Sequence, residues 1–321
     1  MTDAPGSAER PLRVRVAILT YQRPDTLRGL LEALGPHLDA VASDDRWHAA
    51  VDVLVVDNDA SGSGRAALLD PAPYALSYVV EAEPGIAAAR DRVLSESGEV
   101  DLLAFIDDDE LPGPAWLQPM VALWWTSRPA AVVGHVVPQF VEPPDPFVEA
   151  GAFFVRPSHP TGTAVGSAAC NNLLLDLAQV RAQGLTFDRS LGLRGGEDTL
   201  FTRRLVAAGG TILWCQESTV LDLVPPDRAT REWVLKRRYS HSSTLSLVQV
   251  ALAPSAPKRL AVRAKATAAG SVLAVGGLLR AGYGAATHDD THRAMGLRSV
   301  YRGAGRVAGA FGASYREYER S

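Results

Sequence analysis

The chain has 321 residues, 47% of them hydrophobic, and a formal net charge of −4, enough apolar material for one large or two modest cores. Its two cysteines, Cys170 and Cys215, stand far apart without metal-type spacing, which excludes a disulfide framework and a zinc finger and fits a reducing compartment. Charge is uneven: residues 258–321 hold eleven Lys/Arg against four Asp/Glu, a net +7, which leaves −11 on the rest of the chain.

Residues 1–10 are polar, with no apolar stretch of the kind a signal peptide carries, and a disordered leader is expected over residues 1–12. Apolar, β-branched runs follow at residues 14–20, 51–57, 76–80, 102–107 and 131–137, with helical patterns between most of them. That alternation predicts an α/β fold, a mostly parallel sheet flanked by helices. The first helix opens after Arg23 with Pro24 in its first turn, spaces Leu27, Leu30, Leu31 and Leu34 along one face, and is expected to end at Gly35-Pro36. Residues 112–128 read as a helix. Residues 139–169, punctuated by Pro143-Pro144, Pro157 and Pro160, read as a long mobile loop over a site. A helix over 197–208 closed by Gly209-Gly210, extended segments at 211–215 and 219–224, and helical pattern from Arg228 onward complete the expectation.

The sharpest local feature is Asp107-Asp108-Asp109-Glu110, four acids that end the apolar run 102–106. Packed like charges repel unless a cation offsets them. Hard carboxylate oxygens suit Mg²⁺ or Mn²⁺, ions that commonly bridge protein to substrate phosphates. A solvated acidic loop, or acids favoured at the N-terminus of the following helix, is the plainer alternative.

In open α/β sheets ligands collect beyond the carboxyl ends of strands, here Thr20-Tyr21, Asp57-Asn58-Asp59 and Asp107-Asp108-Asp109. The Asp57–Ser61 turn offers acceptors to a base or ribose, or is simply an Asx-type turn. Arg90 lies one turn inside a helix opened by Pro84-Gly85, placed to fork a carboxylate or phosphate or to sit on a plain surface helix. Gly195-Gly196-Glu197-Asp198 sets two acids at a helix start after two glycines. Asp198 is either an N-terminal helix acid or a base that takes the proton of an attacking hydroxyl, with Glu197 positioning the acceptor or supporting it. Lys236-Arg237-Arg238, between Trp233 and His241, suits phosphate or anionic lipid as well as a solvated helix face.

Taken in order, Leu19-Thr20-Tyr21-Gln22-Arg23-Pro24, Val55-Val56-Asp57-Asn58, Pro84-Gly85 to Arg90, Ile106-Asp107-Asp108-Asp109 and Gly196-Glu197-Asp198 resemble the family 2 glycosyltransferases with a GT-A fold. The set covers roughly residues 13–240; each motif alone is weak. The resemblance implies inverting, metal-dependent transfer of a sugar from a nucleoside diphosphate sugar to an acceptor hydroxyl. It implies that Thr20, Tyr21, Arg23 and Asp57 cradle the nucleoside, with Arg90 near the base and Asp107 near the ribose. Asp108 belongs to the same nucleotide-binding group, Asp109 would bind the metal, and Asp198 would be the general base. Many relatives carry a metal-binding His before a V-P-P turn; here Asp222 stands at that position, ahead of Val224-Pro225-Pro226, and an oxygen ligand there shifts the site toward harder ions.

The resemblance divides the chain into a glycosyltransferase domain over 13–240 and a basic helical extension over 241–321. Residues 271–279 are apolar but fall short of the roughly 20 residues a bilayer span needs. The extension is expected either to lie peripherally on an anionic membrane face or to pack as a hairpin. The protein is expected in the cytoplasm, on the inner face of the plasma membrane where it meets membrane at all. Its acceptor would be a sugar, a lipid-linked or a small-molecule one, and no nucleic acid is expected. The alternatives are a nucleotidyltransferase on a related fold and a catalytically inactive nucleotide-sugar-binding scaffold.

Overall fold

The computed structural model describes residues 10–192 and 194–313; the expected leader falls almost entirely outside them. The first half alternates strand and helix: β1 (Arg13–Thr20), α1 (Pro24–Ala42), β2 (Ala50–Asp57), β3 (Leu76–Val80), α2 (Ile86–Glu96), β4 (Leu102–Asp107), β5 (Glu110–Pro112), α3 (Leu117–Ser127) and β6 (Ala131–Phe140). Then come α4 (Pro146–Ala150), β7 (Ala164–Val165), β8 (Asn172–Asp176), α5 (Leu177–Ala182), α6 (Glu197–Ala207) and β9 (Ile212–Val224). Three helices end the chain: α7 (Arg231–Ala251), α8 (Ala256–Thr287) and α9 (Asp290–Ala310).

Among the described residues nine strands form one sheet in the order β3-β2-β1-β4-β8-β6-β9-β5, with β7 paired to β9. β3, β2, β1 and β4 are parallel. β8 then runs antiparallel to both β4 and β6, and β6 is parallel to β9. The continuous apolar runs are explained by cover on both faces. Val16, Ile18, Val53, Val55, Ala104 and Ile106 pack toward α1 and α3. Their alternates Ala17, Leu54, Val56, Leu103 and Phe105 pack toward α2, α5 and α6. Register brings three polar ends together: Thr20 pairs with Asp57, and Leu19 with Asp107.

Four local expectations are corrected. Helix α1 does not stop at Pro36 but runs to Ala42, with Leu38 and Val41 buried on the stripe of Leu27, Leu30, Leu31 and Leu34. An interior proline costs about 3 kcal/mol, and burying two more large aliphatic side chains, at about 1.5–3 kcal/mol each, offsets it. The helix expected from Pro112 starts at Leu117, because Glu110–Pro112 is a strand on β9 and Gly113 donates its N–H to the Thr219 carbonyl at 2.8 Å. The two extended segments at 211–224 are one strand, bulged so that Gly134 faces Cys215 and His135 faces Thr219. Ser218, at the bulge, is buried and its carbonyl accepts from Asn172 Nδ2 at 3.3 Å. The loop expected over 139–169 contains α4 and β7.

Helices α8 and α9 form a hairpin held by glycines seven residues apart: Gly270 and Gly277 face the carbonyls of Gly303 and Gly296, so close that a Cβ would stand 2.7–2.8 Å from them. On its other side α9 meets α7, where Gly305 and Gly309 lie against the Tyr239 and Ser243 carbonyls. Gly277, inside the apolar run 271–279, is therefore part of the contact surface of the hairpin.

Candidate active site

The acid turn lies where β4 ends. Asp108 is buried; it accepts from the Thr20 hydroxyl at 2.7 Å and from Arg23 Nη1 at 3.2 Å. Arg23 Nη1 also donates to Asp109 Oδ2 at 2.8 Å, and Arg228 Nη1 joins the same oxygen at 3.1 Å. Glu110 is buried, accepts from Asn171 Nδ2 at 2.6 Å, and pairs in register with Asp222 across β5 and β9. Asp222 in turn accepts from Arg156 Nη2 at 2.8 Å.

Desolvation in this floor raises the Asp107 carboxyl to about 7, with Asp109, Asp108 and Asp198 adding repulsion and Arg90 opposing it. Burial likewise lifts Asp108 to about 6 against the pull of Arg23, and Glu110 rises well above the ordinary range, driven by burial and then by Asp107. Such raised carboxyls mark a place short of positive charge.

The turn after β2 is fixed by Asp57, which is fully buried. Its Oδ1 accepts from the Asp59 N–H at 2.9 Å, and its Oδ2 accepts from the Gly64 N–H and the Tyr78 hydroxyl, both at 2.6 Å. Both oxygens are thus engaged by the protein itself. Asn58 ties this turn to the next, donating to the Glu81 and Glu83 carbonyls and accepting from the Gly85 N–H at 3.0 Å. Tyr21 is half-buried beside Thr20.

Gly85, at φ +122°, lies against the Gly192 backbone, 3.1 Å from where its Cβ would be, and the Ile86 N–H donates to the Gly192 carbonyl at 3.2 Å. That contact docks the start of α2 on the loop before α6 and brings Arg90 to Glu197. The two form an ion pair with only 4% and 2% of their surfaces exposed. Burial disfavours the Arg90 charge, but the nearby carboxylates of Glu197, Asp198 and Asp107 outweigh that and raise its affinity for the proton. Burial also pushes the Cys170 thiol far up, which leaves it inert as a nucleophile at neutral pH. Asp198 remains partly exposed in the first turn of α6, one oxygen accepting from the Thr199 N–H at 2.5 Å.

The structure therefore gathers Asp107, Asp198, Arg90 and Glu197 into one electrostatic group, and Thr20, Arg23, Asp108 and Asp109 into a second that joins it through the acid turn. Asp222 lies at the rim, opposite Glu110. Arg90 is turned to Glu197 in the core, so its guanidinium acts on the site through the carboxylates around it. Sequence reasoning missed Arg228, Arg156 and Asn171. Arg228 follows directly on the Pro-Pro turn, a signal available in hindsight; nothing local marks the other two.

Among the described residues no group of three or more His, Cys, Asp or Glu is close enough to hold a metal alone. The donor set fits an ion of the Mg²⁺ type all the same, which takes one or two carboxylates and completes its shell with water and substrate phosphate. Asp109 and Asp222, like Asp108, each have an oxygen held by arginine, and Asp109 and Asp222 are the carboxylates that would hold such an ion.

Residues 15–161 match the family described as Glycosyl transferase family 2. The succinoglycan biosynthesis protein ExoM of Rhizobium meliloti (strain 1021) is 34% identical over 241 residues, covering 73% of this chain and 74% of that protein. GalNAc-T7, crystallised with UDP, GalNAc and Mn²⁺, aligns with a TM-score of 0.52 at 13% identity over 74% of this chain, which spans 51% of that one. S. aureus TarS 1–349 aligns with a TM-score of 0.51 at 14% identity, over 90% of this chain and 91% of its own. The fold is GT-A, and the molecule is a sugar-transferring enzyme. The chain belongs to the family 2 glycosyltransferases, which sets aside the nucleotidyltransferase and inactive-scaffold readings.

Proposed function

We infer that the protein transfers a sugar from a nucleoside diphosphate sugar to a hydroxyl of a growing saccharide, with inversion and with Asp198 as general base. The observation that carries this is the convergence of Asp107 to Asp109, at the end of β4, with Asp198, at the start of α6, around Arg90. It brings a carboxylate base to the place where a diphosphate leaving group would be neutralised. UDP and GalNAc in GalNAc-T7, and UDP in a TarS complex with a TM-score of 0.50, support the donor class. ExoM's part in succinoglycan biosynthesis supports a saccharide acceptor.

Thr20, Tyr21, Arg23 and Asp108 line the donor side, and Asp57 shapes it by fixing the turn. Asp109 and Asp222 would hold Mg²⁺ or Mn²⁺, which supplies charge neutralisation of the departing diphosphate. Arg23 and Arg228, now on Asp109, are the groups free to turn to phosphate once the cation takes their place. Glu197 holds Arg90 and so keeps the first turn of α6, with Asp198, against the acid turn.

The working place proposed is the cytoplasmic face of a membrane. Helix α8 carries five basic residues and no acid, and is the one helix among the described residues long and apolar enough to cross a bilayer by length and composition. Its outer face exposes Leu260, Val272, Val275, Leu278, Leu279 and Tyr283. Helix α9, packed along it, bears Arg293, Arg298, Arg302 and Arg306, charges that would have to follow α8 into hydrocarbon. In-plane contact with an anionic surface avoids that cost.

Nucleoside diphosphate binding and sugar transfer, measured together on Asp198→Asn, test the assignment. Binding retained with transfer lost supports the base; unchanged turnover overturns it.

A further inference from the structure

Between α4, β6 and the segment after α4 runs an apolar groove of about 260 Å³, lined by Pro138, Phe140, Val148, Phe153, Phe154 and Val155. Its rim is unusually greasy for a surface: Val155 is 71% exposed. Phe154 is packed edge-on to Phe140 and stacked on Trp233 of α7, so the wall is rigid. Glu149 is the acid at its edge.

Arginines crowd one end of the groove. Arg238 of α7 donates to the Phe153 carbonyl at 3.3 Å. Arg298 of α9 donates to the carbonyls of Gly151 and Ala152 at 2.8 and 3.0 Å and lies over the Phe153 ring. Burial, and then repulsion from Arg298, Arg302 and Arg156, pull Arg238 down to about 10. No carboxylate among the described residues pairs with Arg238, Arg298 or Arg302. Arg156 alone has one, Asp222, and Asp222 is the register partner of the groove's Pro138. Arg238 and Arg298 are held by main-chain carbonyls and not by carboxylates, so the positive charge of the cluster is left available to an anion. The cluster adjoins the apolar groove where Arg298 lies over Phe153, and the rim of the active site through the Arg156–Asp222 pair.

We propose that the Arg156–Arg238–Arg298–Arg302 cluster and the adjoining groove bind the acceptor, an amphiphile whose phosphate or diphosphate sits on the arginines while the first part of its lipid chain lies along Phe140, Phe153 and Phe154. The proposal rests on the glycosyltransferase reading above and names its acceptor class: a lipid-phosphate-linked saccharide, rather than a free sugar or small molecule. The groove is at the small end of ligand pockets, so it takes a segment of chain and leaves the remainder to the bilayer.

Calorimetry on the full chain with geranyl diphosphate, inorganic diphosphate and geraniol tests it, each with and without added UDP, GDP, ADP or TDP. Geranyl diphosphate is expected to bind at least tenfold tighter than either fragment, undisturbed by nucleotide, and Arg302→Glu to weaken it tenfold or more. Arg302 is exposed and its guanidinium makes no hydrogen bond or ion pair among the described residues, so this charge reversal leaves folding intact; Val155→Asp, also exposed, tests the apolar half. Equal binding of inorganic diphosphate would show a bare anion site, and equal binding of geraniol a bare greasy groove. Displacement by a nucleotide would place the probe in the donor site. Each of these, like unaltered affinity in both variants or no binding at all, overturns the proposal. Nucleotide binding in the same titrations reports separately: its absence would count against the glycosyltransferase reading whatever the lipid does.

Discussion

Replacing Glu197 by Leu should strand the Arg90 guanidinium in a site where only 4% of its surface reaches solvent. Breaking a buried pair from one side costs about 3–5 kcal/mol, because the remaining charge is neither solvated nor paired. Asp107 and Asp198 still face Arg90, which places the expected loss near the lower end, about 3 kcal/mol. At about 2–4 °C per kcal/mol for a large domain, the midpoint of thermal unfolding should fall by roughly 6–12 °C. Arg90→Met should also destabilise the fold, by removing the cation that faces Glu197 and that opposes the rise of the Asp107 carboxyl. The double variant Arg90→Met/Glu197→Leu removes both charges and should be more stable than either single one, recovering most of the loss. Urea unfolding followed by circular dichroism gives all four free energies of the cycle. Sugar transfer measured on the double variant separates the roles: stability restored with transfer still impaired is expected if the pair positions Asp198. A double variant that loses the sum of the single losses, or a Glu197→Leu cost below about 1 kcal/mol, would refute the account of this pair.

Asp109→Asn should weaken nucleoside diphosphate binding in Mn²⁺ or Mg²⁺ while leaving binding in chelator little changed, as titration calorimetry can show; equal affinity in saturating metal would exclude Asp109 as a ligand. Gly303→Val puts a side chain 2.4 Å from the Gly270 carbonyl and should destabilise the helical hairpin by at least about 1–3 kcal/mol, the range for overpacking, read as an earlier thermal transition. His37 is half-buried with its ring against Trp116, and burial lowers its affinity for the proton. The unfolded chain therefore binds more protons than the folded one, so stability should fall as pH drops from about 7 through the ordinary histidine range, and His37→Gln should flatten that slope. Leu279→Asp, on the exposed face of α8, should reduce sedimentation with anionic vesicles without altering nucleotide binding; unaltered sedimentation would remove α8 as the contact.

What the sequence by itself determined was local. The strand over 102–107 was legible to the residue because a sheet covered on both faces demands an uninterrupted apolar run, and the polar residues at its carboxyl end stand out by contrast; the edge strand over 76–80 was legible from its β-branched and aromatic residues. The ordered motifs from Leu19 to Asp198 were legible as a family because polar strand ends in that order are specific as a set where each alone is weak. Where local signals competed with long-range contacts they failed. Pro36 marks a helix end on its own, and only the packing of Leu38 and Val41 overrules it; Pro112 looks like a helix start until β9 pairs with it. The site followed the same division. Its carboxylates announced themselves, but the arginines that hold them come from distant elements: Arg156 from the segment after α4, Arg228 from the turn after β9. An ion pair across 107 residues, Arg90 to Glu197, leaves no trace in either neighbourhood of sequence. Gly270 and Gly277 of α8 and Gly296 and Gly303 of α9 carry no local sign that they form the contact between the two helices. Backbone propensity and burial pattern are properties of neighbouring residues, whereas charge pairing and close helix contact depend on distances that exist only once the chain is folded.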